Sequence, residues 1–194
     1  PVRYISNHSS GKMGMALAHA CIQAGAETTL IVGSISVEVE KRAEITYVSS
    51  ADEMYNAVMK KINTQDLFIS CAAVADFRPT KTSLNKIKKD SNFVSIELTK
   101  NKDILESVCK LKDKPICIGF AAETENFHAN AIAKLKSKNC DAIILNDISS
   151  SEIGLNSDDN EVHFISQEKT EKIDKSSKQI IAEKIIKKVT KYFF

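Results

Sequence analysis

Residues 6–14 read Ser-Asn-His-Ser-Ser-Gly-Lys-Met-Gly, a polar loop rich in hydroxyls with one lysine and two glycines. Such a loop can hold phosphate, because Gly11 and Gly14 let a ligand reach the main chain and Ser9 and Ser10 can bond an anion. It opens into apolar residues at helical spacing, Ala16, Leu17, Ala20, Cys21 and Ala24. An anion there would face unpaired N–H groups and the positive end of a helix dipole. Ser9 or Ser10 could equally cap that helix, and an ordinary serine-capped helix is the competing reading. The loop is not a G-x-x-x-x-G-K-[ST] motif, because Ser6 and Met13 stand where the first glycine and the hydroxyl belong, and it is not G-x-G-x-x-G.

Five other places could contribute chemistry. Cys71-Ala72-Ala73-Val74-Ala75-Asp76 joins small residues, which leave room for a flat ring, to a carboxylate. Gly119-Phe120-Ala121 sets an aromatic among small residues, and Asn146-Asp147 follows an apolar run. Lys86-Ile87-Lys88-Lys89 reads either as a solvated basic loop or as a flap whose lysines neutralise a polyphosphate. Lys134 and Lys138 stand four apart, so on a helix their like charges repel unless an anion lies between them.

The elements that must position these residues alternate along the chain. Strands are predicted at Thr28–Val32, Ile45–Val48, Leu67–Ala73, Ile116–Ala121 and Ala142–Leu145, with helices at Gly11–Ala24, Ala51–Ile62, Asp103–Leu111 and Phe127–Lys138. This rhythm predicts an α/β, Rossmann-like, mainly parallel sheet with helices on both faces. A small added strand and flap at Phe93–Leu98 follows the lysine-rich loop, Val162–Ser166 pairs near Ile173, and a last helix runs from Ser176. Ligands bind such sheets beyond the carboxyl ends of the strands, where three of these five places fall.

The chain has 194 residues, a size suited to one domain, and a formal charge of +2 that gives no electrostatic case for nucleic acid. No apolar run is long enough for a membrane span, and no signal peptide is evident, so a cytoplasmic protein is expected. The five cysteines lack C-x-x-C spacing and read as buried free thiols. The histidines are scattered, leaving metal ligands unassigned.

The strings RYISNHSSGKMG, CAAVADFRP, KIKK, NKDI, IGFAAET and LND occur in one order along the chain. Together they resemble phosphopantothenoylcysteine synthetase, the phosphopantothenate–cysteine ligase of coenzyme A biosynthesis. The resemblance implies small-molecule substrates (4′-phosphopantothenate, cysteine and CTP), with Mg²⁺, an acyl-cytidylate intermediate, and release of pyrophosphate and CMP. It implies that Asn7 acts on that intermediate and that Lys86 belongs to the active-site flap. It places Cys71, Ala72, Asp76, Lys86, Lys102, Asp103, Ile104, Leu105, Phe120, Lys134 and Lys138 around the nucleotide, with Ser9, Ser10 and Gly11 in the phosphate loop. It further implies a homodimer and a decarboxylase domain or partner, while the charge and hydropathy already noted leave no membrane or nucleic-acid partner expected. Residues 1–194 are expected to form a single synthetase domain that lacks the strand preceding Pro1 in relatives. FMN would enter only with a fused decarboxylase domain. Lys102 stands where the family usually has proline. Two alternatives are a nucleotide-binding but inactive fragment serving as an assembly subunit, and a nicotinamide-dependent oxidoreductase.

Overall fold

A computed structural model describes residues 4–83, 85, 95–123, 127–147 and 157–194. The chain runs α1 (Lys12–Gln23), β1 (Thr29–Val32), β2 (Glu44–Tyr47), α2 (Ala51–Lys61), β3 (Leu67–Ser70), β4 (Phe77–Pro79), β5 (Leu98–Lys100), α3 (Ile104–Cys109), β6 (Ile116–Glu123), α4 (Phe127–Lys138), β7 (Ala142–Asp147), β8 (Asp159–Ser166), β9 (Thr170–Ser177) and α5 (Lys178–Phe193). The main sheet has the order β3-β6-β7-β8-β9, in which β3, β6 and β7 are parallel and β8 and β9 antiparallel.

The residue pattern explains these layers. Strand β7 alternates its contacts: Ala142 and Ile144 pack with α1 and α5, whereas Ile143 and Leu145 pack with α3 and α4. Both sets are fully buried, as expected of a central strand covered on each face. On one face Leu17 and Cys21 of α1 meet Ile181, Ile185 and Val189 of α5. On the other, Val58 of α2, Leu105 and Val108 of α3 and Leu135 of α4 form the second core.

Several expectations shift in detail. β3 stops at Ser70, so Cys71–Ala73 belong to the loop rather than the strand. The added strand is β5, at Leu98–Lys100, and it pairs with β4 as a separate antiparallel ribbon; residues 93 and 94 of the expected segment lie outside the described residues. β4 itself is too short to show periodicity. The expected pairing near Ile173 is present, with Val162 opposite Ile173, and extends to both eight-residue strands. Helix α5 begins at Lys178, because Ser176 and Ser177 complete β9. β1 and β2 form their own parallel pair, not hydrogen-bonded to the main sheet among the described residues.

Gly119 on β6 shows how tightly the second core supports α3. A Cβ added there would lie 2.6 Å from Leu105 Cδ2 and 2.8 Å from Ile143 Cδ1. Gly119→Val is therefore expected to lower stability by about 1–3 kcal/mol through overpacking, measured by urea unfolding; an unchanged midpoint would show that α3 can move aside freely.

Candidate active site

The loop before α1 places a glycine at the N-cap position, with a serine beside it. Gly11 is the N-cap, in the left-handed region with φ 81°, and the Ser10 hydroxyl beside it accepts the Lys12 N–H of the first turn at 3.4 Å. A Cβ at Gly11 would also meet Ile35 Cγ2 at 2.6 Å, so glycine is required both for backbone conformation and for space. Ser10 is buried and its carbonyl accepts the Ser36 N–H at 3.1 Å, while Ser9 is half-buried. Asn7 is exposed, and its Nδ2 donates to Ala73 O at 3.0 Å. That bond ties the first loop to the segment carrying Cys71, Ala72 and Asp76.

Asn101 organises the opposite wall. Its backbone N–H donates to Asp76 O at 2.8 Å and its Nδ2 to Ala75 O at 2.7 Å, while its Oδ1 accepts from Arg78 at 2.8 Å. Arg78 in turn approaches Asp52 of α2 at 3.4 Å. Asp76 is left exposed, facing the cleft. The motif containing Asn101 was visible in the sequence, but its clamping role was not, because three distant backbone and side-chain partners create it.

Asp103 caps α3 by accepting the Glu106 N–H at 2.9 Å and pairs with Lys138 at 2.5 Å. Lys134 and Lys138 therefore share the field of a protein carboxylate, and Asp103 is an anion that offsets their repulsion. Burial raises the Asp103 pKa, but the Glu106 N–H and the lysine charges outweigh it and hold the carboxyl below its ordinary value. Lys102 lies over the Tyr55 ring at 4.4 Å to the centroid. Ile104 and Leu105 are buried in the second core, so their side chains support the wall more than they face a ligand.

Asn7, Ser9, Ser10, Gly11, Cys71, Ala72, Asp76, Lys102, Asp103, Phe120, Lys134 and Lys138 all border one cleft of about 2890 Å³. The cleft also runs between β1 and β3. Lys86 lies outside the described residues. Among the described residues no group of three or more His, Cys, Asp or Glu could hold a metal ion. Burial around its sulfur pushes the Cys71 thiol up to about 12 against the pull of the Lys178 charge, so it is protonated near neutral pH. Cys109, Cys117 and Cys140 are buried behind α3, with 3.7 Å between the Cys109 and Cys140 sulfurs. The arrangement can bind, orient and neutralise charge.

Lys178, buried on the same cleft, escaped the sequence reading, because it resembles any lysine on an amphipathic helix. Asn146, expected at a strand end, is buried there at the end of β7.

A mostly parallel α/β core with loops gathered at its strand ends defines a protein of Rossmann-like fold. The model of the DNA/pantothenate metabolism flavoprotein C-terminal domain matches residues 1–193, and the chain belongs to this family. It is 45% identical over 192 residues to the coenzyme A biosynthesis bifunctional protein CoaBC of Vibrio parahaemolyticus, covering 97% of this chain and 48% of that protein. It is 41% identical to the CoaBC protein of Escherichia coli K12, covering 99% of this chain and 48% of that one. The chain thus spans about half the length of these curated relatives. Among solved structures, the C-terminal domain of a CoaBC protein superposes with a TM-score of 0.82 at 33% identity, covering 97% of this chain and 86% of that one. Among the described residues no helix is long and apolar enough to cross a membrane.

Because the folded-state pKa of Asp103 is depressed, its contribution is complete above the ordinary value of 3.8 and is lost as pH falls through the lower folded value. Asp103→Asn is expected to remove this acid-side loss while keeping a cap, and Asp103→Ala to cost about 1 kcal/mol at neutral pH. Thermal unfolding from pH 2.5 to 7 tests both; identical pH profiles for wild type and Asp103→Asn would discard the ion pair as a contributor.

Proposed function

We propose that this chain ligates 4′-phosphopantothenate to L-cysteine with CTP, through an acyl-cytidylate, giving phosphopantothenoylcysteine, CMP and pyrophosphate. The observation that carries the reading is the Asn7-to-Ala73 bond, which joins the hydroxyl-rich loop and the Asp76 loop across one cleft from Lys134 and Lys138. Family membership and the CoaBC relatives support the same assignment. The nicotinamide alternative draws no support from these relatives.

In this reading the substrate carboxylate attacks the α-phosphorus of CTP and expels pyrophosphate. The amine of cysteine then attacks the acyl carbon and CMP leaves. Lys134 and Lys138 neutralise nucleotide charge, and the small side chains of Ala72 and Ala73 admit the base or sugar to the backbone. Asn7 donates its amide N–H to the acyl oxygen as negative charge develops there. The protonated Cys71 takes no covalent part. When bound, Mg²⁺ would neutralise the triphosphate. Such an ion is held largely by phosphate oxygens and water with one or two carboxylates, a role the exposed Asp76 fits. A homodimer belongs to the same reading: exposed Phe77, Ile96 and Leu98 place apolar surface on the β4–β5 ribbon and the segment leading into it.

The test is formation of phosphopantothenoylcysteine and pyrophosphate from the three substrates. A chain that binds CTP and releases no pyrophosphate would be a nucleotide-holding subunit instead. Asn7→Asp is expected to retain pyrophosphate release in the first turnover while slowing product formation by roughly 100–1000-fold. Full turnover by that variant would remove Asn7 from the second step.

A further inference from the structure

At the N-terminal ends of β6 and β7, opposite the strand ends that carry the cleft, three cysteines meet. Cys109 ends α3, Cys117 is the second residue of β6, and Cys140 lies just before β7. Each is at most 1% exposed. The Cys109 and Cys140 sulfurs lie 3.7 Å apart although 31 positions separate them in sequence. Backbone contacts hold that approach. Asn139 leaves α4 with a φ of 56°, and its Nδ2 donates to Cys109 O at 3.4 Å. One residue earlier, Lys138 pairs with Asp103 at the other end of α3. Both ends of this six-residue helix are therefore tied to residues 138–140. Lys114 and Asp141 complete the surroundings: their side chains meet at 2.6 Å, and the same Asp141 oxygen accepts the Cys117 N–H at 2.8 Å.

We propose that Cys109 and Cys140 are an oxidation-sensitive thiol pair that closes to a disulfide with peroxide and locks α3 to the α4–β7 turn. Hydrogen bonding by the Cys117 and Cys140 thiols, with the Lys114 charge behind it, draws the Cys109 pKa down against the cost of burial. Cys109 is thus the thiol that ionises first, and the thiolate is the nucleophile. It attacks one oxygen of hydrogen peroxide, the O–O bond breaks, and the departing hydroxide takes up the proton that Cys109 gave away and leaves as water. The Cys140 sulfur then attacks the Cys109 sulfenic sulfur, the S–O bond breaks, and a second water leaves with the Cys140 proton. The two thiols lose two electrons and peroxide gains them. The sulfurs must close from 3.7 Å to about 2.05 Å, so the end of α3 is drawn toward the turn. A pair this buried selects a small oxidant, and Lys114, 20% exposed at its side chain, links the cluster to solvent. The inference stands apart from the ligase reading, because none of the three thiols lines the cleft.

Peptide mapping by mass spectrometry tests it, on folded protein treated with hydrogen peroxide and alkylated before digestion. The peptide linked through Cys109 and Cys140 is expected as the main product, with two of the five thiols lost and both recovered by dithiothreitol. Cys117→Ala should keep the bond, whereas Cys109→Ala and Cys140→Ala should each abolish it. The wild-type map decides the pairing even if a variant fails to fold. Oxidised wild type should show a higher thermal midpoint and slower amide exchange over α3, and treated Cys140→Ala should show neither. The same dose on urea-unfolded protein should scatter linkages among all five cysteines. Five thiols left free, oxidation ending at sulfinic acid, linkage through Cys117, or the same pairing in urea would overturn the selected pair. A bond between Cys109 and Cys140 that leaves the midpoint and the α3 exchange unchanged would overturn the lock.

Discussion

Asn101 is the residue on which the geometry of the cleft depends. Its side chain and backbone make three bonds that connect the loop at Ala75–Arg78 to the segment entering α3. Because the residue is buried, removing it would strand several backbone and guanidinium groups, each costing on the order of 1–3 kcal/mol. Asp103 lies two residues further on, so the clamp also fixes where the α3 cap stands relative to Asp76. Through Arg78 the same clamp reaches Asp52 on α2, and through Asp103 it reaches Lys138 on α4. One buried amide thus relates carboxylates and cations that are far apart along the chain.

The cleft is electrostatic in design. Its thiol at Cys71 is held protonated, its lysines are partnered by carboxylates at its rim, and its small side chains expose backbone. In the ligation we propose, such a site would work by aligning reactants and offsetting charge across two successive attacks by substrate groups. The two layers of the core make such alignment possible. Phe120 and Cys71 pack with the α1–α5 layer, whereas Leu105 and Ala121 pack with the α3–α4 layer, so opposite walls rest on independent sets of buried side chains.

Much of this was legible before folding was considered. The helices at Lys12–Gln23, Ala51–Lys61 and Phe127–Lys138 follow apolar spacing and turn signals, which are local properties. The apolar runs of β3, β6 and β7 were equally plain. Errors collected where local preference and tertiary demand differ. Ser10 does accept an N–H of the first turn of α1, yet Gly11 takes the N-cap position because the chain must turn with positive φ against Ile35. The run through Ala73 looks strand-like, yet pairing with β6 ends at Ser70 opposite Gly119. Lys134 and Lys138 look like repelling neighbours until α3 supplies Asp103.

Residue types and their short-range spacing were enough to establish the α/β class, the order of most elements and the motifs that carry the family likeness, because helix and strand periodicity are written within a few residues. They could not establish which buried polar groups share a partner. Asn101 became a clamp, Lys178 came to lie near Lys12, and the Asn146 oxygen was left without a hydrogen-bond partner among the described residues only when segments distant in sequence were packed together. Desolvation and hydrogen-bond completion are properties of that packed arrangement, and no window along the chain contains them.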